Sequence, residues 1–150
     1  MPRGYLIPKK FTPRSNDEYF EVLAKAIFQV GFNWKIVERK WPDIHRAFHG
    51  FHLHRVAALT DNNIDRLLKD PAIIRNGRKI TAIVDNAGLF LKLAAEHGSI
   101  KKYLHSLRHL SYRQRRKILV KQFKSIGPTG LFVWLYTVNE PVSSWPERNN

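Results

Sequence analysis

The 150 residues include no cysteine. That excludes disulfides, thiolate metal sites and cysteine nucleophiles together. Acidic residues are scarce: 12 Asp and Glu stand against 26 Lys and Arg, a formal net charge of +14. No apolar run is long enough to cross a bilayer, and the opening MPRGYLIPKK lacks the apolar core of a signal peptide. No serine sits in a nucleophile-elbow context and no glycine-rich nucleotide loop occurs. Clear alternating strand patterns and internal repeats are missing as well. Seven histidines are present, with His45 and His49 one helical turn apart and His52 and His54 close by. No glutamate completes a metalloprotease pattern around them, so no metal and no cofactor is expected. These absences point to a cytoplasmic, nucleoid-associated protein with no membrane partner.

What is present is charge and helical periodicity. A surface of +14 attracts polyanions and releases their counterions on binding, so nucleic acid is the first candidate partner. The length suits one domain over 1–150. Residues 1–14 read as a basic extended arm and 141–150 as a loose polar tail. Between them the apolar spacing is helical. Ser15 and Glu18 form a capping box for a first helix that Gly31 ends. A second helix is expected from Asn33 to about Lys40, with Pro42 starting a third. Thr60 opens a fourth, which Pro71 stops. A long helix covers about 77–97, two more cover 99–109 and 111–122, and a last covers about 128–138. Within the last, Leu131–Val138 is also compatible with a strand.

Three turns carry candidate chemistry. Gly127, Pro128 and Thr129 lie between two helices, where free backbone amides and a positive dipole end suit a phosphate. Lys121 and Lys124 add charge there, and the run Arg113, Arg115, Arg116 and Lys117 precedes it. A plain helix–helix turn reads the same way. The segment 29–34 offers the Gln29 amide, a flexible Gly31, a bulky Phe32 and the Trp34 ring. An enzyme that acts on a base must extrude it, fill the gap and hold it against an aromatic face. Phe32 suits the wedge and Trp34 the platform, although both suit a core. Arg75, Arg78 and Lys79 form a basic entry to the long helix, either meeting phosphates or merely solvated.

Taken in order, these pieces resemble the 3-methyladenine DNA glycosylase I family. The resemblance is carried by Tyr19-Phe20-Glu21, by Gln29, Gly31 and Trp34, and by Arg46-Ala47-Phe48. It continues through Val56-Ala57-Ala58-Leu59, Asp65-Arg66-Leu67, Ile73-Ile74-Arg75 and the Lys79–Ala87 stretch. A second patch, 119–134, resembles the family's hairpin through Phe123, Lys124, Ile126 and Gly127. The resemblance implies a compact all-α domain with a helix-hairpin-helix motif. It implies excision of alkylated purines from double-stranded DNA by hydrolysis of the N-glycosylic bond, by a monomer. Gln29, Trp34, Ala26 and Tyr5 would line the base pocket, and Phe32 would enter the DNA gap. Arg75, Arg78, Lys79, Lys121, Lys124, Gly127 and Thr129 would hold phosphate. Three departures stand out. Ala26 occupies the place of a family glutamate that touches the damaged base. The family's zinc ligands have no match. The hairpin lacks its earlier glycine, with Lys124 and Ser125 in that place. Glu38, one turn beyond Trp34 on the same helix face, is the candidate catalytic carboxylate, with Glu140 as another. Two rival readings are a DNA-binding relative that recognises lesions without cleavage and a basic RNA-binding protein.

Overall fold

The computed structural model describes residues 8–150, and these fold into eight α-helices. Helix α1 spans Asn16–Gln29 and begins where expected: the Ser15 side chain accepts from the Glu18 amide. Phe20, Leu23, Ile27 and Phe28 are almost fully buried along it. Helix α8, Pro128–Thr137, buries Leu131, Phe132, Val133, Trp134 and Leu135 in succession, as a helix does when it runs through the core. The two are joined by the Trp134 indole Nε1, which donates to the Tyr19 carbonyl at 3.0 Å. The segment 131–138 is therefore helical, since an all-round apolar surface here serves a central helix rather than a strand.

Helix α2, Trp34–Ala47, corrects one expectation. It runs unbroken through Pro42, so no new helix begins there. Proline removes one backbone donor and leaves the carbonyl four residues back without its partner. Pro42 and Glu38 are both exposed, so water can serve that carbonyl. The opposite stripe of Trp34, Val37, Trp41 and Ile44 is buried and holds the helix together. After it, His49, Gly50 and Phe51 all take positive φ, at 55°, 67° and 57°. Left-handed backbone in residues with a Cβ costs about 1 kcal/mol or more each. The reversal is held by Phe51, whose ring stacks on Phe48 and Trp41, each with centroids 5.3 Å away.

Short helices α3 (Leu53–Ala57) and α4 (Asp61–Leu68) lead to α5, Gly77–His97, which buries Ile80, Ile83, Ala87 and Phe90. Gly98 ends α5 and Ser99 caps α6, Ile100–Ser106. Helix α7 covers Tyr112–Gln122 and completes the hairpin with α8. The helix-hairpin-helix arrangement is thus present.

The segment 141–150 is a second correction. Trp145 packs edge-on against Phe132, and the Arg148 guanidinium lies 3.9 Å above the Trp145 ring. Arg115 donates to the Pro141 carbonyl at 2.8 Å and Arg116 to the Arg148 carbonyl at 3.1 Å. Both guanidinium groups, read from sequence as part of a basic DNA-facing run, are buried and tie the tail down. Burial holds Arg115 below its ordinary pKa.

Candidate functional site

After Asn16 and Asp17 at its start, helix α1 is apolar except for a stripe at Glu18, Glu21, Lys25 and Gln29, spaced three, four and four residues apart. That spacing aligns them on one face. The face opens on a cleft of about 970 Å³. Its other walls are Glu38 and Trp41 from α2, Val133 and Thr137 from α8, and Pro8, Lys9, Phe11, Thr12 and Arg14 crossing above. Such a volume suits a small planar ligand with a few polar contacts. Three carboxylates and three cations line it, a large share of acid for a chain with 12 acidic residues against 26 basic ones.

Gln29 and Glu38 thus meet in one cleft. Glu38 is more than half exposed and its carboxylate is paired with the Lys25 ammonium. Trp34, expected as a stacking platform, is only 4% exposed and does not line the cleft, because it begins the buried stripe of α2. Ala26 is 1% exposed and also absent from the cleft wall. Tyr5 lies outside the described residues. Glu140 belongs elsewhere: nearly fully buried, it accepts from Arg108 Nε at 3.1 Å and Nη2 at 2.7 Å. That pair holds the guanidinium above its ordinary pKa.

Sequence reasoning missed Glu21, Lys25 and Trp41. The Trp41 indole donates to Glu21 Oε2 at 2.8 Å, and His45 Nδ1 lies 3.1 Å from Glu21 Oε1. The polar stripe down an apolar helix was the available signal. The meeting with α2 was not written in it.

The two glycine turns lie at one end of the molecule. At the end of α1, Gly31 has φ of 74° and Phe32 stands 43% exposed, while Asn33 caps α2 with its side chain. Lys79 reaches this turn from α5. Its ammonium donates to the Val30 carbonyl at 2.8 Å and the Phe28 carbonyl at 3.3 Å, and burial holds its pKa below the ordinary value. Lys79 therefore fastens the turn and is not an open phosphate ligand, a correction to its expected role. Arg75 and Arg78 are exposed.

In the hairpin, Lys121 and Lys124 are exposed. Ser125 takes φ of 54°, the conformation that a glycine would adopt freely. Asn86, fully buried on α5, donates to the Lys124 carbonyl at 3.0 Å and accepts from the Lys124 amide at 2.8 Å. Gly127 is the cap residue of α8 and supplies no side chain to its first amides. Thr129 Oγ1 accepts from Arg148 Nε at 3.1 Å. A Cβ on Gly130 would lie 2.7 Å from Ile126 Cδ1 and 3.2 Å from Val30 Cγ2. The missing side chain lets α8 start directly against the end of α1.

The zinc of the family that the sequence resembles has no cluster of donors among the described residues. The chain has no cysteine, and no group of three or more His, Asp or Glu is placed to hold a metal among the described residues. No helix among them is long and apolar enough to cross a membrane.

Residues 11–130 match the model of a family described as methyladenine glycosylase. The chain is 35% identical over 74 residues to DNA-3-methyladenine glycosylase 1 of Escherichia coli (strain K12), covering 49% of this chain and 40% of that protein. It is 31% identical over 78 residues to DNA-3-methyladenine glycosylase of Haemophilus influenzae, covering 52% of this chain and 42% of that one. The matches thus span less than half the length of these relatives. The fold is similar to that of 3-methyladenine DNA glycosylase I from Staphylococcus aureus. The TM-score is 0.77 at 24% identity, over 95% of this chain and 88% of that one.

Proposed function

The chain belongs to the methyladenine glycosylase family, and on that premise we propose that it extrudes and excises alkylated purines from double-stranded DNA. The observation that carries this reading is the grouping of three parts at one end. These are an exposed apolar tip at Phe32, an α8 N-terminus without a side-chain cap, and the Gln29 end of a cleft that runs along α1 as far as Glu18. The uncapped amides beyond Gly127, with Thr129, Lys121 and Lys124, would hold the backbone phosphates. Arg75 and Arg78 would extend that grip. Phe32 would fill the space left by the extruded base, whose unstacking is opposed by a few kcal/mol. Gln29 would bond the edge of the base in the cleft. No cofactor is required.

In the reaction the C1′–N bond breaks and its electron pair leaves with the base. Water adds to C1′ and gives up a proton. An alkylated purine is cationic in DNA, so it leaves as a neutral base and needs little help from an acid. What the transition state needs is negative charge near the sugar and a base for the water. Glu38 is the carboxylate at the rim of the cleft, held by Lys25. The protein would act as a monomer on chromosomal DNA.

A second reading, recognition of lesions without cleavage, is favoured by Ala26, buried where the family has a glutamate. Incubation of the purified chain with alkylated DNA, followed by chromatography for released 3-methyladenine, separates the two. Release above a no-enzyme control supports excision. Binding to alkylated DNA without release moves the protein to the second reading.

A further inference from the structure

The cleft already holds a cation, and the cation belongs to the protein. Lys25 Nζ lies 5.6 Å from the centroid of the Trp41 ring, within cation–π range, while its ammonium also pairs with Glu38. Trp41 is only 9% exposed, but unlike Trp34 it lines the cleft, and it is a rigid platform there. Phe51 stacks on it within 4° of parallel, and Phe28 meets it edge-on at 6.2 Å. Its indole N–H fixes Glu21, and His45 holds the other carboxylate oxygen. Glu21 keeps about a third of its side chain exposed (29%). An aromatic face and an oriented carboxylate therefore line the same cleft as the Lys25 ammonium.

Resting on the reading above, we propose that Trp41 and Glu21 are the elements that recognise the positive charge of the base, and that Lys25 is a resident cation which the base displaces. A neutral purine would gain only stacking on Trp41. A cationic one would also gain the ring quadrupole and the Glu21 charge. Displacement is easy because Lys25 sits at the open side of the cleft with 28% of its side chain in solvent, so its ammonium can swing outward and leave the Glu38 carboxylate at the rim. Two kinds of variant then move in opposite directions. Glu21→Gln removes charge and keeps shape. Lys25→Met removes the competitor and keeps the stem that covers the cleft.

The test is calorimetric titration of the full chain with 3,9-dimethyladeninium, a permanently cationic purine, and with neutral 9-methyladenine. Wild type is expected to prefer the cation about tenfold or more. Glu21→Gln should lose most of that preference with little change for the neutral purine, and Trp41→Leu should weaken both. Lys25→Met should bind the cation several-fold more tightly. Thermal melting confirms that each variant is folded; if Trp41→Leu is not, the other two still decide. Failure of folded wild type to bind the cation, retention of the preference in Glu21→Gln, or no gain in Lys25→Met overturns the proposal. Cation preference without any base release from DNA would uphold it and sink the excision reading. Release by Glu21→Gln with its cation preference intact would do the reverse.

Discussion

The two glycine turns face the same side and are both fastened from α5, but by different chemistry. Lys79 holds the end of α1 with a charge, aimed at carbonyls that a helix C-terminus leaves without partners. Asn86 holds the hairpin with a neutral amide that both gives and takes a hydrogen bond on Lys124. The first anchor is half-buried and titratable; the second is fully buried and indifferent to pH. The turn that ends α1 is thus clamped at its base and open at its tip, while the hairpin is held at its own backbone.

Removing the buried anchor should have the largest effect. Asn86→Ala leaves an amide and a carbonyl of Lys124 without partners and opens a small void, for a loss of about 3 kcal/mol by urea unfolding. If the loss is under about 1 kcal/mol, the hairpin is held by something else. Next comes alkaline pH on the hairpin side. Burial pushes Tyr112 up to about 12 from 10.0, and its hydroxyl is buried without a partner. The neutral phenol is favoured in the folded state, so this stabilisation is complete below pH 10 and is lost as pH rises to about 12. The sum is on the order of 2 kcal/mol. Tyr112→Phe should remove that slope and, by deleting an unpaired hydroxyl, raise stability at pH 7 by about 1 kcal/mol.

The Lys79 anchor should answer alkali in the opposite sense. With its folded pKa below 10.5, the unfolded chain holds the proton longer, so stability rises with pH through that window. Lys79→Met should abolish this rise, and near neutral pH should lower stability by about 1 kcal/mol, discounted for its exposure. A smaller change of opposite sign is expected at Ser125→Gly, which relieves a left-handed residue: about +1 kcal/mol, or a Tm about 2–4 °C higher. Smallest in stability is Phe32→Ser, within about 0.5 kcal/mol. Excision from alkylated duplex should still fall about tenfold or more, since the gap is left unfilled. If activity survives, Phe32 is not the wedge.

Much of this was readable in the residues. Ser15, Thr60 and Ser99 mark their helix starts as side-chain caps do, and Gly98 marks an end. The hairpin follows from local turn chemistry, whereas the residues around Phe32 suited a core as well as the 43% exposure it has. What was hidden depends on contacts distant in sequence. Glu21 reaches Trp41 only because α1 and α2 fold back on each other, and the same packing takes Trp34 into the core. Lys79 was read as a phosphate ligand because a lysine at a helix start is ordinarily solvated; only the fold puts two carbonyls under it. Arg115 and Arg116 looked like surface charge until the tail supplied their acceptors. Pro42 was read as a start because its tolerance depends on which side of α2 meets water.

Lys79 and Asn86 stand seven residues apart on one uninterrupted helix. Seven residues are about 700° of rotation, 20° short of two full turns, and about 10.5 Å of rise. Both anchors therefore project in nearly the same direction, and α5 acts as a ruler between the turn that ends α1 and the hairpin. Adding a single alanine between them would swing one anchor about 100° out of phase with the other. The core fixes Ile80 and Ile83 within that interval, and the two anchors fix its count.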